Sequence, residues 1–330
     1  MNLGRRLLLV LAVGGLGLAL SLAAGLCAGS WGAGWRPTFS ALLGSGDPED
    51  ILPVIIWHLR FPRVLLAALV GATLSAAGVV FQALLRNPLA EPYILGVSGG
   101  AAVGAILALL AGWAAFPGVT GLAFAGSMAT LALLVLLTWG KAVRRHEALL
   151  LSGVMVNAFC GAIIMFLLSL TQDARLHHLL FWLMGDLSLA APEHLPYLAA
   201  ALLPGFVVLM GLARPLNLLL LGEESAHFLG LNVAVISRLL LILTSFLVSL
   251  VVCHSGLVGF VGLVVPHLLR LLVGPDHRLL LPASLLGGAS FLVLCDLLSR
   301  VLPATGEMPV GVVTALVGAP LFIFLLLRSR

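Results

Sequence analysis

The chain alternates long apolar stretches with short polar breaks. Apolar runs lie near residues 7–28, 62–85, 93–114, 119–140, 148–170, 195–213, 234–253, 257–273, 279–299 and 309–327, each close to the roughly 20 residues a helix needs to cross a bilayer core. Backbone groups find no water there, so each run is expected to satisfy its hydrogen bonds internally as a helix. The pattern predicts an all-α polytopic membrane protein with ten spans, the eighth rather short, forming one domain over 1–330. The first run follows Arg5 and Arg6 as in a signal peptide, but it is longer than the usual h-region of about 7–15 residues. A retained first span is the expectation.

One break stands apart. LGEESAHFLGLNV, residues 221–233, sets Glu223, Glu224, Ser225 and His227 between Gly222 and Gly230. Glycines bracket helix ends, and carboxylates favour the first turn, where the helix dipole is positive. A short helix outside the bilayer is predicted, in an inner connection running from about 214 to 233. A spacer needs neither helix signals nor the apolar Phe228, Leu229 and Leu231 beside the acids, so a docking element is expected. A second amphipathic helix is expected in the outer break QDARLHHLLFWLMGDLS, with His177 and His178 beside Phe181 and Trp182. Adjacent residues point about 100° apart on a helix, so the two imidazoles do not readily share one metal.

Composition agrees. Hydrophobic residues make up 61% and charged residues 9%, against about 25% charged in a soluble domain, so no water-facing surface could be covered. The net charge of +4 gives orientation and not nucleic-acid binding, because no basic stripe with interleaved aromatics is present. With the N-terminus inside, the inner segments hold Arg5, Arg6, Arg86, Lys141, Arg144, Arg145, Arg214, Arg238, Arg270, Arg278, Arg328 and Arg330, and the outer ones hold Arg36, Arg60, Arg63, Arg175 and Arg300. By the positive-inside rule both termini are expected in the cytoplasm. Cys27, Cys160, Cys253 and Cys295 lie in apolar runs without paired spacing and read as small core residues; no metal site is expected. The 37 glycines, clustered at 96–105 and 256–263, suit close helix approach. Prolines at 88, 92, 266, 309 and 320 imply broken or kinked helices, which accompany transport paths.

Catalysis finds little support. A P-loop needs a glycine six residues before its lysine, and Val135 stands there ahead of Lys141, the sole lysine, which Ala142 follows in place of Ser or Thr. The chain is therefore not expected to hydrolyse ATP. GVSGG at 96–100 formally fits the nucleophile pattern around Ser98, as an intramembrane protease would require, but no histidine stands in a supporting context. A gradient-driven carrier would place ionisable groups near the midplane. Asp296 instead stands four residues before Arg300, where a local ion pair is expected, and His254 and His267 flank span eight as interfacial residues.

RFPRVLLAALVGATLSAAGVVFQALLRNPLAEPYILGVSGGAAVG (60–104), LGEESAHFLGLNV, GFVGLVVPHLLRLLVGPDHRLLLPASLLGGA (259–289) and GEMPVGVVTALVGAPLFIFLLL (306–327) resemble, in order, the FecCD-type permeases. These are the membrane subunits of binding-protein-dependent ABC importers for iron–siderophores, haem and vitamin B12. The resemblance implies a homodimer of ten-helix subunits in a cytoplasmic (inner) membrane, two ATPase subunits that bind ATP and Mg, and a periplasmic or surface-anchored binding protein. The implied cargo is a bulky metal chelate, iron–siderophore first, with vitamin B12 and haem as alternatives. Glu223, Glu224, Ser225, His227 and Leu229 would then contact the ATPase. Asn87, Pro88, Leu89, His146 and Glu147 would lie at the cytoplasmic gate. Arg60, Arg63 and Arg300 would receive acidic residues of the binding protein, and Met155, Asn157, Met165 and Thr314 would line the pore. His177 and His178 are expected in an interfacial aromatic belt, with contact of His177, His178 or His254 with haem as the alternative.

Overall fold

A computed structural model describes residues 2–28, 52–138, 145–171, 173–188, 190–303 and 306–328. Arg36, Lys141 and Arg144 lie outside these residues, as do the side chains of Arg145, His146 and Arg175. The described residues form helices of six residues or more at α1 (Leu3–Cys27), α2 (Phe61–Leu84), α3 (Val97–Leu110), α4 (Thr120–Thr138), α5 (Arg145–Ser169), α6 (Asp173–Leu183), α7 (Leu195–Gly211), α8 (Ala213–Leu220), α9 (Glu223–Phe228), α10 (Val233–Ser255), α11 (Val261–Val273), α12 (His277–Val301) and α13 (Val310–Arg328). Helices α1, α2, α4, α5, α10 and α12 are each long and apolar enough to cross a membrane, the pair α7–α8, bent by 50°, counts as a seventh, and the shorter α3, α11 and α13 complete ten. The apolar runs read from the sequence thus map one to one onto these elements.

The centre of the bundle is α2. Apart from Phe61, Leu65 and Leu69 its residues are buried, with α12, α10 and α11 packed around it, while α3 lies against α4 and α5. Lipid supplies no hydrophobic drive between spans, so helices associate through close van der Waals contact. At Gly71 and Gly288 the backbones of α2 and α12 touch, and Gly78 meets the carbonyl of Gly262 in α11; a methyl group at position 71 or 78 would collide with the facing carbonyl oxygen. Helix α1 is peripheral and buries only Val10, Ser21 and Gly25.

The eighth span is short because residues 256–260 do not join the helix. Gly256 (φ 65°) and Phe260 (φ 68°) take left-handed backbone, so α11 has thirteen residues. An open backbone inside a membrane protein must find partners, and here two side chains of the 86–96 connection supply them. The Tyr93 hydroxyl accepts from Val258 N (2.6 Å) and donates to Val258 O (2.7 Å), and Glu91 Oε1 accepts from Phe260 N (3.2 Å). Burial pushes the Glu91 carboxyl above its ordinary value, against the lowering pull of the Phe260 N–H. Nothing in the sequence reading singled out this pair.

Candidate functional site

The terminal end of the bundle, where α1 begins and α13 ends, carries the acidic island. Gly222 (φ 108°) and Gly230 (φ 86°) bracket α9, with Glu223 and Glu224 in its first turn. The helix is anchored by Ala226, which is fully buried, and closed by Leu231 N donating to Ala226 O (3.0 Å). Glu224, Ser225, His227 and Leu229 are exposed and Glu223 is half-buried. Phe228 at its tip is 81% exposed, next to Leu229 at 61%. Of the residues expected at the gate, Asn87 Oδ1 accepts from Leu89 N (2.9 Å) in a tight turn, and Pro88, Leu89 and Glu147 are exposed.

At the distal end, Arg60, Arg63 and Arg300 converge as the topology requires, but they do not form an open face. Each is under a tenth exposed, because internal acceptors hold them. Arg63 Nε donates to Asp296 Oδ1 (2.7 Å) and its NH1 pairs with Glu307. Arg300 Nε lies 3.1 Å from Asp296 Oδ2, and its NH2 donates to Gly25 O (3.0 Å). Arg60 NH1 donates to Leu26 O (2.9 Å) at the end of α1. Asp296, with no exposure, therefore serves two arginines, one of them on another helix, where the sequence pointed only to its neighbour four residues on. Glu307 is the exposed member of the cluster, with 41% of its side chain open.

A cavity of about 380 Å³ is lined by His177, His178, His194 and His254 together with Phe116, Phe181 and Trp182. His194 stacks on Phe116 with ring centroids 3.7 Å apart. His254 Nδ1 lies 2.9 Å from Leu250 O, so the neutral ring donates there and leaves Nε2 as an acceptor. The rings of His177 and His178 stand edge to face, 6.2 Å apart. Among the described residues no three His, Cys, Asp or Glu side chains gather in a metal-holding group. A second cavity of about 460 Å³ is lined by Tyr93, Met184, Phe260, Val312, Ala315 and Leu316.

Pore expectations divide. Met155 and Met165 are exposed on α5 and Asn157 shares that exposure, an apolar helix face carrying one amide. Thr314 is fully buried and its hydroxyl donates to Gly311 O (3.0 Å). It faces the interior of the subunit, and the next residues, Ala315 and Leu316, reach the cavity in its place. Ser98 is also buried, without a hydrogen-bond partner among the described residues, which suits a packing role and not a nucleophile.

A bundle of broken and short spans, with an exposed acidic helix at one end and a charged cluster at the other, fits an integral membrane permease. The chain belongs to the FecCD transport family, whose model matches residues 17–328. It is 41% identical over 325 residues to the hemin transport system permease protein HmuU of Yersinia pestis, covering 96% of each chain. To the vitamin B12 import system permease protein BtuC of Klebsiella pneumoniae it is 41% identical over 319 residues, 95% of this chain and 92% of the relative. A solved metal-chelate type ABC transporter in an inward-facing conformation superposes with a TM-score of 0.86 at 33% identity, covering 97% of this chain and 99% of that one. This protein is accordingly the permease of an ABC importer for metal chelates, haem or vitamin B12, a transport component.

Proposed function

We propose that this subunit works as a homodimer in the cytoplasmic membrane with both termini inside, two copies of an ATPase that binds ATP and Mg seated on α9, and a binding protein delivering cargo at the distal end. The observation that carries the reading is α9 itself, with Phe228 and Leu229 exposed by 81% and 61% beside the carboxylates of its first turn. An apolar tip flanked by acids fits a cleft on a partner, and α8 joins it directly to α7, the other half of the bent span. The exposed Met155, Asn157 and Met165 face supports pairing with a second copy around a shared path, with Asn87, Pro88, Leu89, His146 and Glu147 at its cytoplasmic mouth.

The decisive test is charge reversal of the tip. Glu223→Lys with Glu224→Lys is expected to lower cargo uptake by reconstituted complexes at least tenfold while ATP hydrolysis continues. Uptake at the wild-type level would return the stretch to a spacer.

Docking of the binding protein is proposed over Arg60, Arg63 and Arg300. Their burial sets the chemistry: an incoming carboxylate reaches Arg63 by exchanging with Glu307, since the planar guanidinium fork accepts either acid. Cargo is a bulky metal chelate, for which iron–siderophore, haem and vitamin B12 all fit the family. The imidazole-lined cavity favours contact with a chelate whose metal keeps an open axial position, as haem does. Replacing His177, His178 and His254 together by alanine is expected to slow haem uptake at least threefold and to leave ferric siderophore uptake unchanged. Haem uptake that ignores all three changes would make them structural.

A further inference from the structure

One side chain fastens α8 to α12 at the terminal end. Asn217 Nδ2 donates to Asp276 Oδ1 (2.7 Å), and Asn217 Oδ1 accepts from the backbone N–H of His277 (2.9 Å) and from its ring Nδ1 (2.7 Å). Only one amide orientation serves all three contacts, because a flip would set donor against donor and acceptor against acceptor. His277 is 1% exposed, so its ring does not drift. Asp276 caps α12 by accepting from Arg278 N (3.0 Å). The Arg278 guanidinium, bonded to both its oxygens, and the Asn217 amide hold the Asp276 carboxyl well below the usual carboxylate range.

The placement of this contact gives it meaning. Leu221 and Gly222 alone separate α8 from α9, and the buried Leu216 and Leu219 rest α8 on the bundle. Apolar contacts of that kind are not directional and permit sliding, whereas hydrogen bonds fix register. At the other end of α12, nineteen residues on, stands Asp296 in the arginine cluster. At about 1.5 Å of rise per residue the two ends lie about 28 Å apart. Pro282 interrupts the ladder in the second turn, above the contact.

We propose that Asn217 is a positioning residue for transport: it keeps α8 and α9 locked to the start of α12 throughout the cycle, so that displacement of the docking tip is delivered to the distal arginine cluster as a movement of α12. The proposal rests on the docking role of α9.

The test uses the reconstituted complex with its ATPase and binding protein, reading cargo moved per ATP hydrolysed. Asn217→Ala and Asp276→Ala are each expected to lower that ratio at least fivefold, with hydrolysis within twofold of wild type. Asp276→Asn keeps an acceptor for Asn217 and the cap on Arg278 N, and Arg278→Ala removes only an exposed pair; both are expected to stay near wild type. A purely structural role would lower assembly and hydrolysis together and would not separate these variants. Wild-type coupling in Asn217→Ala overturns the proposal while the docking role of α9 stands, provided reversal of Glu223 and Glu224 uncouples; if that reversal is also silent, the docking reading fails first. Should Asn217→Ala not assemble, equal coupling in Asp276→Ala and Asp276→Asn overturns it instead.

Discussion

Asp296→Ala is expected to destabilise the subunit by about 3–5 kcal/mol, the usual penalty for stripping one partner from a buried ion pair. Two guanidiniums, those of Arg63 and Arg300, face the Asp296 carboxylate from different helices, and each is under a tenth exposed. Thermal unfolding of the detergent-solubilised subunit measures the change. Glu307→Ala is the control: it removes a half-open partner of the same Arg63, and pairs of that kind contribute about 0–1 kcal/mol. Equal stability of the two variants would show that the cluster is not held together by Asp296.

Gly78→Ala should be nearly as damaging, although it adds one methyl group. Its Cβ would overlap the Gly262 carbonyl oxygen, a backbone atom that cannot rotate away, so α2 and α11 must separate and lose contact along their length. Overpacking ordinarily costs about 1–3 kcal/mol and occasionally more, and the central position of α2 places this site at the upper end. Gly15→Ala and Gly121→Ala, where a methyl group meets nothing within 4 Å, are expected to be neutral or slightly stabilising. Folded yield in a fluorescent-fusion assay ranks the variants; Gly78→Ala at the yield of Gly15→Ala would refute the close approach.

The spans were legible because bilayer thickness imposes one length on every run, and the α9 helix because glycine and acid signals act within a few residues of one another. Contacts between distant segments left no such trace. Asp296 advertised Arg300, its helical neighbour, but the shorter bond goes to Arg63, 233 residues away in sequence, and nothing local announces it. Exposure of the three arginines followed from topology alone, which places a helix end but does not say which way its side chain turns. Glu91 and Tyr93 were overlooked because the strand of backbone they satisfy, 256–260, reads as part of an ordinary apolar span. The short α8 lies within the inner connection expected over about 214–233, and no local signal there marks Asn217 as the partner of Asp276, 59 residues on. Which face of α13 Thr314 takes was equally illegible, since one residue is a rotation of about 100° on a helix and Thr314 is buried while Ala315 and Leu316 line a cavity.

Phe228 at the tip of α9 has a consequence for biogenesis. With α9 on the cytoplasmic side as proposed, a subunit inserted before its partners are made would present that ring to the cytosol, on a six-residue helix that by itself is too short to be stable in water. Such an element is a natural handle for chaperones and membrane proteases, which survey exposed apolar groups on short-lived structure. Seating the partner hides the handle. On the proposed docking role, the side chain that meets the partner in the finished transporter would also mark unfinished ones for removal.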